Sequence, residues 1–142
     1  MKLSCLQENL AKALNIVGRA VAPRTATLPV LTHILLATDN GRLRVSATNL
    51  ELGVNCWIGA KVEDEGAITL PARTLTELVS LLPSDRIDLE LNGRTQAVRV
   101  HCSKTDTNIK GIDAQEFPIV PVFDPEGAIY VNADVLRKLI AK

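Results

Sequence analysis

A short extended run followed at once by an amphipathic helix occurs three times in this chain, and the repetition constrains the fold more than any other feature. The first copy runs from Leu3 to Leu14, the second begins 65 positions later at Ile68-Thr69-Leu70-Pro71-Ala72-Arg73-Thr74-Leu75, and the third begins at Ile129. Superposing the first copy on the third pairs Leu3 with Ile129, Cys5 with Val131, Glu8 with Asp134, Leu10 with Leu136, Lys12 with Lys138 and Leu14 with Ile140. Matched apolar positions at spacings of about 60 residues indicate internal repetition of one supersecondary unit.

In the first copy Lys2 to Leu6 reads as a strand and Gln7 to about Val21 as a helix. Leu10, Leu14, Val17 and Val21 fall on one face with Ala13 and Ala20, while Glu8, Lys12, Asn15 and Arg19 fall on the other. Pro23 is expected to end the helix, and Arg24-Thr25-Ala26-Thr27 reads as a polar loop. The period then changes from 3.6 to 2. Ile34 to Thr38 is a strand, Asp39-Asn40-Gly41 a hairpin turn, and Leu43, Val45 and Ala47 alternate with polar neighbours in the next strand. A third strand is expected from Glu51 to Ala60, carrying Trp57, followed by Lys61 to Gly66 as a charged, solvated connection.

The second copy has Ala67 to Leu70 as strand and a helix from Pro71 to about Leu82. Leu75, Leu78, Val79 and Leu82 form its buried stripe, with Arg73, Glu77 and Ser80 opposite. Ile87, Leu89 and Leu91 form a strand, Asn92-Gly93 turns the chain in the same way as Asn40-Gly41, and Val98, Val100 and Cys102 form the strand that returns. Thr105 to Lys110 is a last strand of weaker pattern. Ile112 to Gly127 holds Pro118, Pro121 and Pro125 and reads as an extended connector. The expected organisation is one domain over residues 1–125 and the start of another over 126–142, since a strand and one short helix cannot bury a core. The chain therefore reads as the first segment of a longer protein. The fold class is α+β: two strand-helix-three-strand units with two helices packed on antiparallel sheets.

Composition narrows the function classes. Lys plus Arg and Asp plus Glu both number 16, so net charge makes no case for a nucleic-acid partner, and only a local field on one face could. The start of the chain lacks the apolar core of a signal peptide and no run approaches a membrane span, so the expectation is a cytoplasmic protein. Cys5, Cys56 and Cys102 are odd in number and far apart, which points to buried reduced thiols rather than disulfides or a metal site. His33 and His101 sit in strand-like runs without a nucleophile motif, and HExxH, GxxxxGK[ST] and GxGxxG are absent, so no catalytic residue and no cofactor is expected. The polar helix faces, with Lys12, Arg19 and Arg73, can meet phosphate oxygens, although Glu8 and Glu77 lie among them. An interaction module using an exposed strand edge is the alternative.

Four stretches carry a resemblance. Thr27-Leu28-Pro29-Val30-Leu31, Ala47-Thr48-Asn49-Leu50-Glu51-Leu52, Leu70-Pro71-Ala72-Arg73 and Ile109-Lys110-Gly111-Ile112-Asp113-Ala114-Gln115-Glu116-Phe117-Pro118 resemble, in order and spacing, the first domain of the bacterial replicative sliding clamp, the β subunit of DNA polymerase III. The resemblance implies a non-catalytic processivity factor: a head-to-tail homodimeric ring of six domains, with helices lining a hole around duplex DNA held without regard to sequence. Polymerase III subunits and the clamp loader would bind through domains beyond this chain. Arg24 and Arg73 fall on family positions that approach DNA, and Lys12 and Arg19 join them from the helical wheel. The last strand, Lys104 to Ile109, would form the ring's dimer contact, with Thr107 where an aromatic is common and Ile109 as its apolar contribution.

Overall fold

The computed structural model describes residues 1–23, 28–118 and 140. Each repeat begins with a strand that runs directly into a helix: β1 (Lys2–Leu6) into α1 (Gln7–Val17), and β6 (Ala67–Pro71) into α2 (Ala72–Leu81). A meander follows each helix. In the first unit it is β2 (His33–Asp39), β3 (Arg42–Thr48) and β4 (Gly53–Gly59); in the second it is β7 (Arg86–Asn92), β8 (Ala97–Cys102) and β9 (Thr105–Lys110).

The two units interlock. β1 does not join its own meander but lies antiparallel beside β7, with Leu3 opposite Leu89 and Cys5 opposite Ile87. β6 in turn lies beside β2, with Ile68 opposite Leu36 and Leu70 opposite Ile34. The result is one sheet in the order β4-β3-β2-β6 and another in which β1-β7-β8-β9 are consecutive. Each sheet is thus completed by a strand of the other unit, so neither half can close its hydrogen bonding alone. The inward residues of both sheets and the apolar faces of both helices form one cluster, in which Leu10, Leu14, Ile34, Leu36, Leu43, Ile68, Leu70, Leu75, Ile87 and Leu89 are almost wholly shielded from solvent. Burying an aliphatic side chain of this size contributes roughly 1.5–3 kcal/mol, so a core with few aromatics is sufficient.

Four boundaries differ from the sequence expectations. The first helix stops at Val17, not near Val21: the chain tightens at Gly18 into a 3-10 turn, Gly18–Ala20, closed by the Val21 N–H donating to the Gly18 carbonyl at 3.3 Å. Glycine has low helix propensity, so the helix ends there, before Pro23 is reached. Lys61 to Gly66 is not a solvated loop. Lys61–Asp64 is a strand, β5, that crosses to the other sheet and pairs with β1 at its edge, Leu3 opposite Val62 and Ser4 opposite Lys61.

The connector expected from Ile112 also begins as structure. Ile112 exchanges two backbone hydrogen bonds with Thr69 in β6, at 3.0 and 3.1 Å. Asp113 then caps the 3-10 turn Ala114–Glu116 by accepting from the Gln115 N–H at 2.9 Å, and Phe117 is buried. β5 and Ile112 are equivalent: after its meander, each unit returns to cover the open edge of its own first strand. Finally, the Asn92 turn differs from that at Asn40. Asn40 and Gly41 both have positive φ, 49° and 79°, as a two-residue hairpin turn demands. The second turn spans Gly93 to Gln96, its left-handed residue is Gln96 at φ 58°, and the Asn92 carboxamide accepts from the Arg94 and Thr95 N–H groups. The expected boundary at 125/126 and, apart from Ile140, the third copy of the repeat lie outside the described residues.

Candidate nucleic-acid interface

The outer surface of the helix pair is built from the residues that the buried stripes leave over. Leu10, Ala13, Leu14 and Val17 in α1, and Leu75 and Val79 in α2, are buried; Glu8, Lys12, Asn15, Arg19, Arg73, Glu77 and Ser80 are all exposed. Besides the apolar cluster they share, a polar contact joins the helices. The Gln7 side chain is buried at the start of α1, and its Nε2 donates to the carbonyl oxygen of Val79 in the last turn of α2 at 2.9 Å. That carbonyl also accepts from the Leu82 N–H at the end of the helix at 3.2 Å, so the Gln7 amide is its second donor. Gln7 therefore satisfies its own buried amide and ties it to the end of α2. Its position three residues before Leu10 and seven before Leu14, on the apolar stripe, was a legible sign of burial that the sequence reading passed over.

Between the helices runs a groove of about 460 Å³ with Leu14, Asn15 and Arg19 on one wall and Ala72, Arg73 and Glu77 on the other. The structure thus brings together Arg19 and Arg73, two of the four cations singled out from the sequence. Lys12 lies on the same exposed face of α1 but not in the groove, and Arg24 lies outside the described residues. Arg19 and Lys12 make no ion pair among the described residues. Arg73 donates from Nε to Glu77 Oε1, one turn along α2, at 3.1 Å. Both partners are about two-thirds exposed, so the pair is worth little, of order 0–1 kcal/mol.

The second candidate surface is the edge formed by β9, which among the described residues pairs on one side only, with β8. Lys104 lies in the turn before the strand rather than in it. Ile109 sits opposite Val98 with its side chain in the domain's own core, 6% exposed, so it offers a neighbour its backbone but no apolar side chain. Thr107 is on the same inward side and half-buried, while Asp106, Asn108 and Lys110 point outward. Asp106 is held by Arg99 of β8, whose Nε donates to Oδ1 at 2.9 Å, and that hydrogen bond keeps the carboxyl below its ordinary pKa.

Of the two histidines, His33 is placed by a hydrogen-bonded contact in the sheet. His33 Nδ1 lies 3.1 Å from Thr69 Oγ1, and the same hydroxyl donates to the Ile112 carbonyl at 2.8 Å. A hydroxyl has one proton, so His33 is the donor in its contact, with the proton on Nδ1. Among the described residues no group of three or more His, Cys, Asp or Glu side chains could hold a metal ion, and no helix is long and apolar enough to cross a membrane.

Comparison with known proteins gives one consistent family. A family model described as the DNA polymerase III beta subunit, N-terminal domain, matches residues 1–121. The beta sliding clamp of Synechococcus elongatus is 40% identical over 138 residues, covering 96% of this chain and 36% of that protein. That of Synechocystis sp. is 37% identical over 131 residues, covering 87% and 33%. Among solved structures, the pol III beta of Caulobacter crescentus matches all of this chain and 38% of its own, with a TM-score of 0.89 at 32% identity. The chain spans about a third of the length of these relatives.

Proposed function

The chain belongs to the DNA polymerase III beta subunit family, and from that membership we propose that it supplies the first domain of a sliding-clamp processivity factor. In this reading the ring encircles duplex DNA, tethers the replicative polymerase and carries no chemistry of its own. A ring holds DNA by topology, so contacts to the phosphates must be weak and indifferent to sequence. The single observation that supports this best is the paired exposed faces of α1 and α2, where Lys12, Arg19 and Arg73 stand among glutamates and uncharged polar groups. A surface made to grip DNA would carry a denser basic field. Arg24 joins these three cations in the proposal, on the strength of its family position.

The ring contact is proposed for the β9 edge, Lys104 to Ile109, with backbone pairing as its main component because Ile109 is committed to the core. Partners are duplex DNA, a second copy of the complete chain, and polymerase and loader subunits that bind beyond the present residues; the compartment is the cytoplasm. The domain division at 125/126 belongs to the same proposal. The test is retention on DNA. The full-length chain, loaded on nicked circular duplex, should stay bound through gel filtration and leave once the circle is linearised. Equal loss from circles and linear DNA would contradict a clamp and favour the strand-edge interaction module.

A further inference from the structure

We propose that Glu77 is a counter-charge that orients Arg73 while weakening its hold on the DNA backbone, so that the contact stays transient. The inference rests on the clamp reading above and concerns the groove between α1 and α2. Arg73 lies in the first turn of α2, where the helix dipole opposes a cation, and that turn contains no acidic residue and no side-chain cap. Helix stability therefore gives no reason for an arginine there. The Arg-before-Glu order at i, i+4 is also the weaker orientation of such a pair, and both groups are exposed. The pair is poorly suited to stabilise α2 and well suited to open.

The geometry separates two effects. Glu77 accepts only from Nε, and the two terminal nitrogens of the guanidinium make no hydrogen bond among the described residues. Those terminal nitrogens are the pair that can meet phosphate oxygens in a bidentate manner. Glu77 thus holds the side chain along the groove wall with its fork unengaged, and its negative charge subtracts from the attraction felt by an approaching phosphate. Across the groove Arg19 has no such partner among the described residues. The groove therefore has one damped cation and one undamped cation.

The experiment uses full-length rings carrying Glu77→Gln, Arg73→Ala or both, with diffusion on duplex DNA and its salt dependence as readouts. Glutamine keeps an acceptor for Nε and removes the charge. We expect Glu77→Gln to slow diffusion by about 3–10-fold and to steepen the log–log salt dependence by about 0.9, one more phosphate contact. In the Arg73→Ala background the same change should have at most a third of that effect. An equal effect in both backgrounds, or faster diffusion in Glu77→Gln, overturns the role of Glu77 and leaves the clamp reading intact. If Arg73→Ala alone leaves diffusion and salt slope unchanged, the assignment of this groove to DNA fails, and the inference falls with it. Thermal unfolding of each variant within 2 °C or so of the parent, as expected for an exposed pair, excludes loss of fold as the cause.

Discussion

Gly111 passes so close to β6 that a β-carbon built on it would lie 2.1 Å from the carbonyl oxygen of Thr69 and 2.9 Å from the Ile68 side chain. This is why the stretch after β9 carries glycine: the backbone must touch β6 for Ile112 to pair with Thr69. Gly111→Ala should therefore destabilise the domain by about 2 kcal/mol or more, in the range of core overpacking, as measured by the urea midpoint. Gly93→Ala is the control, because nothing lies within 4 Å of its β-carbon and its φ is not positive; it should change stability by under about 1 kcal/mol.

Gln7 joins the two helices through a buried amide. Gln7→Ala should cost about 1–2 kcal/mol, since the Val79 carbonyl loses a partner away from water. Gln7→Glu should cost more at neutral pH than at pH 4, because a carboxylate cannot donate to a carbonyl whereas a carboxylic acid can. Equal stabilities at the two pH values relative to the parent would contradict this geometry.

Burial lowers the His33 pKa below its ordinary 6.5, against a smaller raising effect from the Thr69 backbone. The folded state therefore binds this proton less tightly than the unfolded chain. Below about pH 6.5 the unfolded state takes up more protons, so stability should fall as pH drops through this window. Denaturation midpoints between pH 7 and 5 should show the loss, and His33→Asn, which can still donate to Thr69, should flatten it.

Burial pushes the Cys5 thiol up to about 12, with the Asp88 charge adding to the effect. The thiolate is the reactive form, so Cys5 should resist alkylation at pH 8, while the half-buried Cys56 reacts first, as peptide mass mapping can show. Because the unfolded thiol ionises near 9 and the folded one does not, this group's contribution to stability is complete below pH 9 and is lost as pH rises toward 12.

Lys12 and Arg19 are exposed cations without ion-pair partners among the described residues. Replacing either with alanine in the full-length ring should weaken DNA association similarly for all sequences and reduce the salt slope by about one. Arg19→Ala should have the larger effect, since it shares the groove with Arg73 and Lys12 does not. A sequence-dependent loss would contradict contact through the backbone.

Most elements were readable because periodicity is local. The stripes of α1 and α2, the alternation in β3, β7 and β8, and the turn at Asn40-Gly41 follow from side chains a few residues apart. The family resemblance was carried by short stretches in register, and it is the membership in the family that the comparison supports. β5 was missed because an edge strand facing solvent needs only backbone pairing, which leaves no apolar alternation in Lys61-Val62-Glu63-Asp64. Ile112 was missed for the same reason.

The sequence by itself therefore determined most of the strands and both helices, which faces are apolar, and that the unit is repeated. Only the tertiary structure decided the exchange of β1 and β6 between units, the burial of Ile109 away from the β9 edge, and the meeting of Arg19 with Arg73 and Glu77 in one groove. The strand exchange and the groove join residues far apart in the chain: Leu3 lies beside Leu89, Ile68 beside Leu36, and Arg19 shares the groove with Arg73. Backbone hydrogen bonds and the packing of two distant helices set them, and neither leaves a mark in the local order of side chains.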